Sequence, residues 1–174
     1  MKNSALLVSA IFFALSSCGG GDNSKPETNP SEMVQETEKQ NNSIEITSEI
    51  LEVTIEGNDQ MKFNLDRIDV SAGQTIKLTM KNVGSQPKEA MGHNWILLDK
   101  GTNVQDFAMA AIAQKENDYF PLERESEVLA HTKLLGPGES ETIEFKAPNE
   151  PGVYKFICSF PGHFANMQGT FFVK

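Results

Sequence analysis

The stretch Tyr154-Lys-Phe-Ile-Cys158-Ser-Phe-Pro-Gly-His163-Phe-Ala-Asn-Met167-Gln-Gly-Thr-Phe-Phe-Val173 reads as a strand, a tight loop and a second strand. Apolar, β-branched and aromatic residues mark the two flanks, Val153–Cys158 and Gly169–Val173, and Pro161-Gly162 supplies the turn between them. The loop sets a thiol, an imidazole and a thioether at C-x4-H-x3-M spacing, close enough to curl round one point.

Working outward, the same β grammar recurs. Short runs rich in β-branched and aromatic residues cover Leu51–Glu56, Ile68–Val70, Thr75–Met80, Asn94–Leu98 and Glu141–Phe145. Alternation is plain at Thr142-Ile143-Glu144-Phe145-Lys146, where Ile143 and Phe145 share a face. Ser71-Ala72-Gly73, Gly136-Pro137-Gly138 and Asn149-Glu150-Pro151-Gly152 punctuate the runs. Seven or eight strands at this spacing predict an all-β domain, a Greek-key β-sandwich, over residues 48–174. One segment departs from the pattern. Val104, Phe107, Ala108, Ala111 and Ile112 fall at helical spacing behind Thr102 and Asn103 as caps, predicting a short helix over Val104–Lys115. It lies in a long crossover between Leu98 and His131.

The donor set of the loop points to a particular metal. A soft thiolate, a borderline imidazole and a soft thioether suit copper in both of its common oxidation states. Two histidines and a cysteine in a plane, with a long axial methionine, make the arrangement used for electron transfer. Structural zinc wants four firm ligands in a closed tetrahedron, for which methionine is a poor choice. A second histidine is therefore required, and the chain has three. His93 stands in Met91-Gly92-His93-Asn94-Trp95 at the head of an apolar strand, beside a glycine whose carbonyl can approach a metal closely. Asn94 is placed to brace the ligand loop or the thiolate. His131, in Ala130-His131-Thr132, has no such setting and reads as structural or surface, while Trp95 reads as core.

Taken together, Met91-Gly-His-Asn-Trp-Ile-Leu, Ala130-His-Thr-Lys-Leu-Leu-Gly, Cys158-Ser-Phe-Pro-Gly-His-Phe-Ala-Asn-Met and Gly57-Asn-Asp-Gln-Met61-Lys-Phe-Asn64 resemble the azurins, in the family's order along the domain. The resemblance implies an eight-stranded cupredoxin sandwich with one type 1 copper. It implies His93, Cys158 and His163 as equatorial ligands, with Met167 and the Gly92 carbonyl as weak axial ones. Asn94 and Phe160 would support the ligands from behind. Met61, Met91, Pro161 and Phe164 match apolar positions that in this family surround the outward edge of the second histidine, a docking patch for redox partners. Three departures stand out. No cysteine lies at either position of the disulfide usual in azurins, Asn82 replaces a histidine eleven residues before the first ligand, and Asn166 replaces an apolar residue beside Met167.

The N-terminus reads differently. Lys2 precedes an apolar run from Ala5 to Leu15, of signal-peptide length and too short to cross a bilayer permanently. Leu15-Ser-Ser-Cys18-Gly19 resembles the lipobox of bacterial lipoproteins, which implies cleavage after residue 17 and a diacylglycerol on Cys18. Residues 18–47 then form a polar stretch with six acidic residues against two lysines between Gly19 and Thr47, expected to be a flexible tether. An acylated Cys18 leaves Cys158, the only other cysteine, without a disulfide partner and free to bind metal.

The net charge of −9 disfavours a nucleic-acid partner. The expected function is single-electron transfer between redox proteins, cytochrome-type or oxidase and reductase donors and acceptors, on the periplasmic or cell-envelope side of a bacterial membrane. No small-molecule substrate and no catalysis are expected. A copper oxidase or nitrite reductase needs a second copper centre with more histidines than the three present. The alternative is a module that merely sequesters copper, and a metal-free structural cupredoxin is the remaining rival.

Overall fold

Among the described residues there are nine strands and two short α-helices, against the expected eight or so strands and single helix. The computed structural model describes residues 49–174; the signal segment, Cys18 and the tether lie outside the described residues. One sheet has the order β2-β1-β4-β7, from β1 (Leu51–Asn58), β2 (Lys62–Phe63), β4 (Thr75–Asn82) and β7 (Ser140–Lys146). The other runs β3-β9-β8-β5-β6, from β3 (Arg67–Val70), β5 (Ile96–Leu98), β6 (Val128–His131), β8 (Gly152–Ile157) and β9 (Gln168–Val173). The pairs β1–β4 and β3–β9 are parallel and the others antiparallel. The chain therefore crosses between the sheets repeatedly, at β2–β3, β3–β4, β4–β5, β6–β7 and β7–β8, as in Greek-key sandwiches.

Alternation decides what each strand buries. In β4, Ile76, Leu78, Met80 and Asn82 point inward while Lys77 and Lys81 face solvent. Ile76, Leu78 and Met80 join Ile55, Leu97, Phe156, Phe171 and Val173 in the core between the sheets. The short run Ile96-Leu97-Leu98 is apolar without alternation because both its faces are covered. Leu97 belongs to the main core, whereas Ile96 and Leu98 join Ile157, Phe107 and Ala108 in a second cluster. Helix α2 (Val104–Ile112) supplies Phe107 and Ala108. Asn103 caps it by accepting the Asp106 N–H at 3.1 Å, and the helix stops three residues short of the expected Lys115. A 3-10 turn follows over Lys115–Asn117, and Asp118 and Tyr119 then both take positive φ, at 53° and 58°.

Three elements escape the sequence pattern. β2 is two residues long and extends the β1 turn, β6 is a four-residue strand at the sheet edge, and α1 (Lys88–Met91) is a single turn behind Pro87. At the end of the sandwich where the chain enters, the Gln74 side chain accepts the Ser71 N–H at 2.9 Å and donates to the Glu49 carbonyl at 3.2 Å. No described helix is long and apolar enough to cross a membrane.

Candidate metal centre

Two loops converge at the other end of the sandwich. The first follows α1 and carries Gly92 and His93, held against the 132–136 segment by His93 N–H to Leu135 O at 3.1 Å and Leu135 N–H to His93 O at 2.8 Å. Gly92 is required by space, because a Cβ there would stand 2.7 Å from the Lys88 carbonyl and 3.0 Å from Leu134. Asn82, buried at the end of β4, donates its side-chain amide to the Leu135 carbonyl at 3.0 Å and to that of Met91 at 3.3 Å. It thus fixes the chain on both sides of the His93 pairing.

The second loop joins β8 to β9. Cys158 N–H donates to Met167 O at 3.0 Å, Met167 N–H to His163 O at 2.8 Å and His163 N–H to Phe160 O at 3.0 Å. Gly162 turns the chain at φ 82°, and His163 opens a 3-10 turn ending at Ala165. These bonds wind the loop so that its side chains face one centre.

His93, Cys158 and His163 meet there. Their ligand atoms all lie within 4.8 Å of one another and all three residues are buried. The Cys158 sulfur is 3.6 Å from His163 Nδ1, and the two imidazole rings stand 5.1 Å apart. Met167 is fully buried as well. A Cβ on Gly57 would sit 2.6 Å from Met167 Cε and 3.0 Å from His93 Cδ2, which places the methionine methyl and the histidine ring against the same spot of β1. The need for glycine at 57 escapes sequence reasoning because it depends on β1 passing behind both side chains.

Electrostatics favour a cation. Neither ring nitrogen of buried His93 has a hydrogen-bond partner, and a buried polar atom left so costs about 1–3 kcal/mol. Burial lowers the His93 pKa, outweighing the nearby Asn58 carbonyl, which falls short of hydrogen-bond geometry, and the Asp59 carboxylate. Burial, with His93 adding to it, brings His163 down to about 4, so both imidazoles are neutral and offer lone pairs near pH 7. Burial pushes the Cys158 thiol up to about 11, although the backbone amides of Asn94 and Phe160 favour the thiolate. A bound cation supplies the charge that this thiolate otherwise lacks. An unpartnered imidazole beside a buried thiol suits a thiophilic metal.

The supporting residues are equally specific. The Asn94 amide donates to Ser159 Oγ at 2.8 Å and accepts the Ser159 N–H at 2.9 Å, tying the neighbour of His93 to the neighbour of Cys158. The Phe160 ring lies 4.6 Å from the His163 ring. Met61, Met91, Pro161 and Phe164 are half-buried, and Phe164 packs against the second core cluster. His131 stands apart from the site, exposed on β6 and stacked on Phe120 at 4.3 Å. Trp95 is wholly buried between Phe145 and Phe156.

Residues 50–174 match the family model of copper binding proteins of the plastocyanin/azurin family. This chain belongs to that family. Among curated relatives of this plastocyanin/azurin member, the azurin of Achromobacter denitrificans is 41% identical over 135 residues, spanning 74% of this chain and 87% of that protein. The azurin of Pseudomonas aeruginosa is 38% identical over 126 residues, spanning 70% of this chain and 84% of that protein. Among solved structures, reduced auracyanin from Roseiflexus castenholzii superposes with a TM-score of 0.64 at 34% identity, covering 71% of this chain and 96% of that one. Auracyanin A from Chloroflexus aurantiacus, a "blue" copper protein, gives 0.65 at 30% identity, with 72% and 99% covered. The chain is a cupredoxin with one copper site at His93, Cys158 and His163.

Proposed function

We propose that this cupredoxin is a single-electron carrier, tethered to a bacterial membrane by a lipid on Cys18 and exchanging electrons with redox proteins on the envelope side. The observation that carries the electron-transfer reading is the buried trio of His93, Cys158 and His163, two neutral imidazoles and a thiol on two braced loops. Copper bound there supplies a one-electron couple. Met167 and the Gly92 carbonyl would complete the donor set, Met167 because it shares the space behind Gly57 with His93.

The protein's part is rigidity and exclusion of water. The backbone bonds from Cys158 to Met167 and from Met167 to His163 hold the loop, while the His93–Leu135 pairing and Asn82 hold the other ligand. A copper ion bound there would meet nearly the same donor positions in either oxidation state. His163 is 2% exposed, and the half-buried Met61, Met91, Pro161 and Phe164 form the proposed apolar collar against which a partner desolvates the route to it. No substrate bond is broken in this scheme, so the protein acts as a carrier and not an enzyme.

The anchor follows from Leu15-Ser-Ser-Cys18-Gly19 behind an apolar run, since two acyl chains hold a protein stably on a bilayer. The test is direct. Copper-loaded protein should show the intense visible absorption and the narrow copper hyperfine pattern of a thiolate-bound centre, and Cys158→Ser should abolish both; colour surviving that change sinks the assignment. Cys18→Ala should move the protein from the membrane to the soluble fraction, and continued membrane binding overturns the anchor alone.

A further inference from the structure

Asp118 and Tyr119 are consecutive non-glycine residues in the left-handed region, at φ 53° and 58°. Aspartate tolerates this conformation, but a bulky tyrosine there is uncommon and strained. Something must hold the pair in place, and its contacts show what does. The Tyr119 carbonyl accepts a hydrogen bond from Ser159 Oγ at 2.7 Å. Ser159 follows Cys158, and its hydroxyl also accepts from the Asn94 amide at 2.8 Å, so the chain of bonds runs from the neighbour of one ligand through the neighbour of another to Tyr119. The Tyr119 ring meets Phe160 edge-on at 5.0 Å, and Phe160 in turn lies against His163. On the other side, the Asp118 carboxylate is 3.3 Å from Lys88 Nζ, in the turn that leads to Gly92 and His93. Tyr119 N–H donates to Gln114 O at 2.9 Å, which ties the pair back to the turn after α2.

We infer that Asp118 and Tyr119 form a positioning clamp on the copper site, a dipeptide from the crossover that sets the spacing between the loop bearing His93 and the loop bearing Cys158 and His163. Tyr119 is the stronger arm. Its contacts are to Ser159, 1% exposed, and Phe160, 7% exposed, whereas Lys88 and Asp118 are solvent-exposed enough that their pair contributes little. The strained backbone is kept because relaxing it withdraws the carbonyl from Ser159, leaving a buried hydroxyl without its acceptor.

The inference rests on copper being held by His93, Cys158 and His163, and the test separates the two claims. Wild type, Tyr119→Phe, Tyr119→Ala and Ser159→Ala are compared by competition for copper against a chelator, by visible spectrum, and by amide hydrogen exchange of the copper-free protein. Tyr119→Phe keeps ring and carbonyl and should match wild type. Tyr119→Ala and Ser159→Ala should each lose roughly tenfold in copper affinity, as for residues that orient metal ligands from behind. Their thiolate band should shift, and the Phe160 and His163 amides should exchange faster without metal. If Tyr119→Ala and Ser159→Ala keep wild-type affinity and spectrum and only unfold more easily, the clamp is ordinary packing and the inference is wrong. Should Tyr119→Ala not fold, Ser159→Ala decides on the same readouts. Wild type that takes up copper without a thiolate band overturns the copper assignment itself.

Discussion

The Cys158 sulfur lies 3.6 Å from Nδ1 of His163, and both side chains are buried. In the copper-free protein the thiol is protonated and the imidazole neutral around pH 7, with pKa values of about 11 and about 4. Copper uptake near neutral pH should therefore release about one proton, the thiol's, because the imidazoles carry none to give up. Calorimetry in two buffers of different ionisation enthalpy measures it, and release of two or more would show a protonated histidine at the site.

The same values set the pH range of the copper-free fold. An unfolded histidine takes up a proton as the pH falls through 6.5, whereas folded His163 resists until about 4, so stability should fall across that window. The loss from His163 is on the order of 3 kcal/mol. At the other end, an unfolded cysteine ionises from about pH 9 while folded Cys158 holds its proton to about 11, so stability should fall as pH rises between them. Denaturant midpoints should peak between roughly pH 6.5 and 9, and a midpoint that keeps rising below 6 contradicts the buried neutral imidazole.

Gly57→Ala should disturb the copper site from behind. Its methyl would meet Met167 Cε at 2.6 Å and His93 Cδ2 at 3.0 Å, so one of them must move. Overpacking of this kind costs about 1–3 kcal/mol, and the visible spectrum should shift with it. An unaltered spectrum in a destabilised protein would mean that the Met167 methyl yields without disturbing the donor atoms.

Asn82→Ala should remove the amide that holds the Met91 and Leu135 carbonyls. A loss of about 1–3 kcal/mol is expected from the buried groups left unpaired. Copper affinity should fall as well, since the Leu135 carbonyl also receives the His93 N–H. Thermal unfolding with and without copper separates the two effects.

Gln74→Ala is the contrasting case. It cuts the tie between Glu49 and the 71–74 turn, so stability should drop by about 1 kcal/mol. The copper spectrum should not change, because the tie sits at the other end of β1 from Gly57. A shifted spectrum would mean that strain travels the length of the strand.

What was legible in the sequence was what is local. Cys158, His163 and Met167 fall within one turn between two recognisable strands, so donor chemistry and spacing are written together. His93 was legible through Gly-His-Asn-Trp beside an apolar strand. That Asn94 takes Ser159 as its partner, the role of Asn82 and the need for glycine at 57 are products of strand register and chain crossing, with no local signature. Tyr119 was hidden for another reason, since its importance lies in a backbone carbonyl and an unusual φ that a tyrosine does not advertise. β6 and α1, at four residues each, are too short for periodicity to speak.

The Gln74 tie fixes where the chain joins the sandwich. Glu49 is held beside the start of β1, whereas Gly57 near its finish touches Met167 and His93, a separation of about 25 Å for an eight-residue strand. Anything that pulls on the polypeptide ahead of Glu49 therefore pulls from the tail of the molecule. Under the lipid anchor proposed on Cys18, the point of attachment would lie at the end of β1 away from the copper donors.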